Sequence, residues 1–292
     1  MPEFVSHCSL CGTNRSRLFD QRNFHGQSVR NRLCLNCGLV YQSPRMTAQD
    51  VVAFYAAEYR RMYQGNEDPI KKDLVVQRAR AAALIRFVRL NVEHVNRHLD
   101  IGCSAGLLLQ EFQHGFGCEA VGVEPGKAYR TYAHGQGLSV HASLEDLKVK
   151  EKACFDLISL SHVLEHLPNP AAYLSDLRET SLAPGGWLLI EVPNLYAHDS
   201  FETAHLFSFS ARTLARTVQQ AGYETIQLET HGRPRSNIIP YYLTLLARAR
   251  SKPEQIIPLR REKLVGLKRR FGLLRRRIIS HLFPKKAWIE IS

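Results

Sequence analysis

The sequence predicts an α/β protein. Its body is a seven-stranded, doubly wound parallel sheet, with a small cysteine-rich module before it and a helical, basic tail after it. Three observations carry this. Between residues 96 and 250, short apolar runs alternate with amphipathic stretches, the pattern of strands joined by crossover helices. The first two runs each end on an acid followed by a glycine turn, in HLDIGCSAG and VGVEPG. Ahead of them stand two CxxC pairs, Cys8 with Cys11 and Cys34 with Cys37.

The order of elements follows from periodicity and punctuation. Residues 1–42 hold four of the seven cysteines and many turn-forming residues. Residues 43–95 read as helical, because AQDVVAFYAAEYRRMY and VVQRARAAALIRFVRL repeat apolar positions at three and four residues. In residues 96–250, RHLDIG is a strand and AGLLLQEFQHG a helix ending near Gly115. CEAVGVE, the helix GKAYRTYAHGQG and the short strand LSVHA come next. CFDLISLS is the fourth strand, PAAYLSDLRETSL a helix and GGWLLIEVP the fifth strand. SARTLARTVQQAG is a helix opened by Ser210 and closed by Gly222. YETIQLE is the sixth strand and PYYLTLLARA the seventh, which Pro240 confines to an edge or a strand start. Residues 251–292 alternate basic and apolar residues and form the tail.

At 292 residues, 45% hydrophobic and 23% charged, the composition is that of a globular protein. No apolar run reaches the roughly 18 residues that span a bilayer. MPEFVSHCSL lacks the basic start and apolar core of a signal peptide. The expected location is therefore the cytoplasm, where disulfides are rare. The net charge of +12 is confined to one segment: Ala247 to Trp288 hold 14 Lys or Arg against 2 Glu. The remainder carries 25 basic and 25 acidic residues. A nucleic-acid-binding core is thus a poor fit, and RNA remains only as a less favoured partner.

A glycine turn after a strand can cradle a phosphate. Here the turn follows Asp100, whose carboxylate would repel a phosphate in a poorly solvated pocket. Glu124, ending the second strand, is placed to accept both hydroxyls of a ribose. A ligand with an ammonium, a ribose and no phosphate fits, and S-adenosylmethionine is such a ligand. At these motifs the region 95–250 resembles the class I S-adenosylmethionine-dependent methyltransferases. DIGCSAG is similar to that family's first motif and VGVEPG to its second. FDLISLSHVLEHLPNP and LAPGGWLLIEVPN are similar to its fourth- and fifth-strand regions. Ser104 and Ala105 stand where a further glycine is common, which tightens the turn. The resemblance implies a Rossmann-like fold and a cofactor site at Asp100, Gly102, Cys103, Ser104, Gly106, Glu124, Pro125, Ser143, Leu144 and Ser161. Asp100, Gly102 and Gly106 would hold the methionine part, Glu124 the ribose, and Ser143 and Leu144 would border the adenine.

The resemblance also places the loop after the fourth strand, Ser161 to His166, beside the transferred methyl. His205, in AHLFSFS, falls in the loop that follows the fifth strand and covers the substrate. A neutral imidazole takes a proton near pH 7, which makes His166 and His205 the candidate bases, with His162 lining the pocket. Two other readings stay open. His162, Glu165, His166 and His205 form a ligand set for a divalent ion. Alternatively, Glu165 and His166 merely bond the loop and cap the next helix.

Two residues between thiolates place both sulfurs on one side of a turn, and Gly12 and Gly38 let the chain turn back beneath a metal. A 22-residue gap between the pairs suits a hairpin. Four thiolates from Cys8, Cys11, Cys34 and Cys37 indicate structural zinc in a zinc ribbon. Cys103, Cys118 and Cys154 are expected as buried small hydrophobes. With the following CGLVYQSPRMTAQDVVAFYAAEY, the module resembles that of bacterial methyltransferases acting on sugars in nucleotide-sugar, polysaccharide and antibiotic pathways. That resemblance implies a sugar or glycan precursor as the small-molecule acceptor, methylated at carbon or oxygen. Tyr55 and Tyr59 would reach the cleft or anchor packing.

In the tail, Leu264, Leu267, Phe271, Leu274, Ile278 and Leu282 recur at three and four residues, among Lys268, Arg269, Arg270, Arg275, Arg276 and Arg277. Such a helix either lies on an anionic membrane surface, through about residues 260–285, or packs its stripe on the body or a second subunit. Gly266 and Gly272 are each expected to weaken it by about 1 kcal/mol.

Overall fold

The computed structural model describes residues 2–57, 62, 65, 67–150, 154–250 and 261–291. The expected placements of Tyr59 and of the side chain of Tyr55 lie outside what is described. The chain opens with a hairpin, β1 (Ser16–Phe24) and β2 (Gln27–Cys34), followed by β3 (Val40–Gln42), α1 (Ala48–Ala57) and α2 (Lys71–Val88). The main layer runs β4 (Arg97–Ile101), α3 (Leu107–Phe116), β5 (Glu119–Val123), α4 (Lys127–Gly135), β6 (Ser139–His141), α5 (Leu144–Lys150) and β7 (Phe155–Ser161). A 3₁₀ turn (Leu164–His166), α6 (Pro170–Thr180), β8 (Leu182–Pro193), β9 (Phe207–Ser208), α7 (Ala211–Gln220), β10 (Tyr223–His231) and β11 (Tyr242–Ala249) follow. The tail is α8 (Val265–Leu282) and α9 (Pro284–Ala287).

The seven-stranded sheet has the order β10-β11-β8-β7-β4-β5-β6. From β4 the chain builds outward through β5 and β6, then returns to the other side of β4 with β7. The crevice between the carboxyl ends of β4 and β7 is therefore the topological switch point, where ligands of such sheets bind. The sheet is parallel from β8 to β6, but β11 is antiparallel to both β8 and β10. This corrects one expectation: the sheet is not wholly parallel, because no crossover helix joins β10 to β11 and the chain must reverse. Of the two places Pro240 allowed, the strand start is the one observed: β11 begins beyond it and lies between two partners, so the missing N–H of proline costs no ladder bond.

Local chemistry sets the helix ends. Ser210 accepts from the Thr213 N–H, and Thr213 Oγ1 accepts from the Ser210 N–H, a reciprocal cap on α7. Asn169 caps α6 by accepting from Ala172 N–H, with Pro170 in the first turn. Glu165 and His166 therefore do not cap that helix. α2 lays Ala81, Leu84, Phe87 and Val88 against Leu108 and Phe112 of α3 in one apolar cluster. Cys103 and Cys118 are buried as expected, but Cys154 is exposed, since it lies just ahead of β7 rather than in it.

The second sheet, β1-β2-β3-β9, is antiparallel, and its last strand comes from the far half of the chain. Val40 and Tyr41 pair with Ser208 and Phe207. Cys8, Cys34, Leu39 and Tyr41 share one apolar core with Leu160, Ile190 and Phe207. No described helix is long and apolar enough to cross a membrane.

Candidate active site

The crevice is floored by the turn after β4. Gly102, Ser104 and Gly106 all have positive φ, at 72°, 53° and 80°. A Cβ on Gly102 would approach Val163 Cγ2 to 2.5 Å, so the turn and the loop after β7 touch only because residue 102 has no side chain. Asp100 lies buried beneath the turn, where its Oδ1 accepts from Ser159 Oγ at 2.6 Å. The same hydroxyl lies 2.8 Å from His98 Nε2. Burial pushes the Asp100 carboxyl up to about 7 despite the Ser159 bond, and burial pulls His98 down to about 3. The Cys103 thiol packs inward beneath Gly122 of β5.

Glu124 joins the two turns. Its Oε2 accepts from Ser104 N and its Oε1 from Gly126 N, both at 2.9 Å. The two backbone N–H groups thus fix the orientation of this carboxylate. Pro125 is exposed beside it, Ser161 is half-buried at the end of β7, and Leu144 is buried. Ser143 Oγ accepts from Asp146 N at 3.1 Å and so caps α5. The structure thus gathers the expected cofactor residues at the carboxyl ends of β4 to β7, with Asp100 and Cys103 beneath the surface.

The neighbouring pocket is rich in acceptors. Glu165, 1% exposed, has no hydrogen-bond partner among the described residues on either carboxylate oxygen. His166 Nδ1 lies 2.9 Å from Ala204 O, and His205 Nδ1 lies 2.9 Å from Ser200 O. A carbonyl only accepts, so in the neutral ring His205 Nδ1 carries the proton and Nε2 the lone pair, whereas His166 meets the carbonyls of both Ala204 and His162. Both Nε2 atoms face carboxylates: Glu165 Oε1 is 3.8 Å from His166, and Glu202 Oε1 is 3.3 Å from His205. The two rings are 4.7 Å apart. His162, at φ 56°, sits between Glu165 at 3.4 Å and Glu191 at 3.4 Å. Burial raises Glu165 to about 8, and the Glu202 and Glu191 carboxylates add to that. Burial lowers His166 to about 4 and holds His162 and His205 well below the ordinary histidine value.

Three parts of this pocket were missed by sequence reasoning. Glu191, 1% exposed, is bound by Arg80 at 2.8 Å and by Thr244 Oγ1 at 3.0 Å, with His231 at 3.4 Å. Burial alone would raise its carboxyl, but the Arg80 guanidinium and the His231 bond outweigh that and hold it below the usual range. An acid inside the apolar run WLLIEVP was the available signal. The second part is Gln42 of β3, which donates from Nε2 to the carbonyls of Glu202 (2.6 Å) and His205 (2.8 Å). The third is Glu202 itself. No local pattern marked these two.

In the cysteine module, Sγ of Cys8 and Cys37 are 3.5 Å apart, as are those of Cys11 and Cys34. All four sulfurs lie within 4.8 Å of one another. A tetrahedral zinc with bonds near 2.3 Å spaces its sulfurs about 3.8 Å apart, so the set fits. Glu165, His166 and His205 are equally close, within 4.8 Å. A carboxyl and two imidazoles this close together are a donor set that fits a divalent cation.

A glycine turn and a backbone-held acid at the switch point of a doubly wound sheet, with a polar pocket beside them, define a Rossmann-like methyltransferase fold. Comparison with known proteins makes the assignment specific. Residues 75–228 match the family model described as "Methyltransferase domain", and the chain belongs to that family. It is similar to the ubiquinone biosynthesis O-methyltransferase of Nitrobacter winogradskyi, with 34% identity over 133 residues, 41% of this chain and 49% of that protein. The protein of the same name from Xylella fastidiosa strain 9a5c is 35% identical over 104 residues, 34% of this chain and 42% of that one. The chain spans about half the length of the curated relatives it matches. Among solved structures, the Burkholderia thailandensis 1,6-didemethyltoxoflavin-N1-methyltransferase covers 79% of this chain and 99% of its own, at TM-score 0.56 and 18% identity. That likeness shows the fold.

Proposed function

We propose that the protein transfers a methyl group from S-adenosylmethionine to a hydroxyl of a small molecule. The observation that carries this reading is the contact of the Gly102 turn, beside Glu124, with the loop that holds the buried, unbonded Glu165 carboxyl. In the transfer, the acceptor oxygen forms a bond to the methyl carbon while the carbon–sulfur bond breaks and sulfur keeps the pair. The hydroxyl proton leaves to the imidazole of His205 or His166, and the Nδ1–H bond from His205 to the Ser200 carbonyl leaves its Nε2 as the acceptor. Such proton transfer contributes about 10² to 10⁴ in rate, and alignment of oxygen, carbon and sulfur contributes the rest. The name shared by the relatives favours oxygen over carbon as acceptor. The N-terminal resemblance keeps a sugar or glycan precursor as one acceptor class, and the relatives' name adds an oxygen acceptor of ubiquinone biosynthesis as the other.

Glu165 favours a second reading of the same pocket. A divalent cation held by Glu165, His166 and His205 would neutralise the orphaned carboxylate and make the acceptor hydroxyl more acidic. The four thiolates of Cys8, Cys11, Cys34 and Cys37 would hold structural zinc.

The test is calorimetric titration of S-adenosylmethionine into wild type and Glu124→Ala, followed by methyl transfer to catechols and to nucleotide sugars, with and without chelator. Binding by wild type alone, then turnover, supports the reading. A folded wild type that binds no S-adenosylmethionine overturns it. Activity that survives chelation leaves the imidazoles as base, and activity restored by an added divalent ion selects the cation.

A further inference from the structure

The tail helix is docked the opposite way round from an ordinary amphipathic helix. The face of α8 that meets the body carries Val265, Arg269, Gly272 and Arg276. Arg269 is 5% exposed and donates to the carbonyls of Leu195 and His198, the latter at 3.1 Å, and to Asp199 at 2.9 Å. Arg276 lies over the Tyr241 ring at 5.1 Å. A Cβ on Gly272 would run into the Tyr196 carbonyl, so this glycine, expected only to weaken the helix, lets it approach. The apolar stripe points away. Leu267, Phe271, Leu274, Ile278 and Leu282 are 50%, 65%, 54%, 49% and 61% exposed. Eight of the thirteen exposed large apolar side chains among the described residues lie between 264 and 288. Packing of this stripe on the body is thereby excluded.

We propose that the exposed face of α8 is a docking surface for an anionic lipid bilayer. Two observations choose this occupant. At about 100° per residue, Arg270 and Arg277 fall on one shoulder of the stripe and Arg275 on the other. None of the three has an ion-pair partner among the described residues, and Lys285 and Lys286 extend the basic rim, both exposed. An apolar strip flanked on both sides by unpaired cations matches the acyl–headgroup boundary of an anionic leaflet. Stacked against a second copy of itself, the same face would oppose cation to cation. The surface also borders the pocket: the carbonyls that anchor Arg269 and Arg276 belong to the segment from Leu195 to Asp199, which runs on to His205. This inference stands independently of the methyl-transfer reading.

The test is co-sedimentation of the full chain with vesicles of phosphatidylcholine alone and of phosphatidylcholine with phosphatidylglycerol, beside analytical ultracentrifugation without lipid. Expected is binding that needs phosphatidylglycerol and weakens with salt. Phe271→Glu with Ile278→Glu should weaken it at least about tenfold, and Arg270→Gln with Arg277→Gln by about fivefold per residue. The second variant keeps the stripe intact, and both should keep the wild-type circular dichroism and melting temperature, since these side chains bond nothing in the body. Absence of sedimentation, binding to neutral vesicles alone, or equal binding by both folded variants overturns the proposal. A wild-type dimer abolished by Phe271→Glu with Ile278→Glu, without vesicle binding, gives the face to a second copy instead.

Discussion

Two clusters of side chains that could hold a metal sit among the described residues, and they were built in different ways. The four thiols come from two CxxC turns joined by the β1–β2 hairpin, so three sequence-local features bring them together. Glu165 and His166 come from a single turn after β7, but His205 arrives from a loop 39 positions later. It is fixed by Ser200 and by Gln42 of the cysteine module. The first cluster offers four like ligands and closes a tetrahedron. The second offers three mixed ligands, with both Glu165 oxygens unbonded among the described residues. A closed set suits structure and an open one suits chemistry. The two are linked, since β3, which follows the second knuckle, pairs with β9 beside His205.

The difference predicts unequal responses to metal removal, which should be the largest effect. Structural zinc in small cysteine sites binds with about 10 to 16 kcal/mol. Prolonged chelation, or Cys34→Ser, should therefore melt the β1-β2-β3-β9 sheet, read by near-ultraviolet circular dichroism against zinc content. On the cation reading, mild chelation should strip the Glu165 cluster without unfolding; on the imidazole reading it should leave activity unchanged. Simultaneous loss of both would erase the contrast.

Next come Glu165→Gln and His205→Ala, expected to lower kcat by about 10² to 10⁴ with S-adenosylmethionine affinity kept. Loss of cofactor binding with unchanged kcat at saturation would make the pocket structural. Gln42→Leu tests the link between the clusters. Removing both of its bonds to the 202 and 205 carbonyls should cost about 1 to 3 kcal/mol of stability and lower kcat more than it raises the cofactor KM. An unaltered kcat would show that β3 does not position His205.

A gentler effect is the pH dependence of stability. His98, His166 and His198 have folded values of about 3, 4 and 4 against 6.5. Below pH 6.5 the unfolded chain binds more protons, so stability falls as the pH drops toward 4. Asp100 and Glu165 act oppositely, raised from 3.8 to about 7 and from 4.5 to about 8. Their native forms keep protons that the unfolded chain releases, so stability falls from about pH 4 until the pH has risen through 7 to 8. Urea midpoints should peak at about pH 6.5, and Glu165→Gln should flatten the alkaline side and steepen the acid side above about pH 4.5. The smallest expected change is Ser210→Ala, about 1 kcal/mol for the lost cap of α7, without effect on either cluster.

Much of the fold was open to reading because its causes are local. Alternating apolar runs marked every strand of the large sheet, the glycine turns marked their carboxyl ends, and Ser210 and Gly222 bounded α7. The antiparallel insertion of β11 was not open to reading, because strand direction depends on which slot α7 leaves between β8 and β10. Glu191 stood out in its apolar run, but its partner Arg80 lies 111 positions away, and nothing near either residue names the other.

By itself the sequence determined the strand and helix order, the thiol set, the glycine turn with Glu124, and the amphipathic period of the tail, because each depends on residues within a few positions. Only the tertiary structure decided that His205 meets Glu165 and His166, that Gln42 holds their loop, and that α8 seats its arginines and turns its apolar face outward. Those outcomes depend on pairing partners for buried carbonyls and charges, and a chain finds such partners in space rather than along its own length.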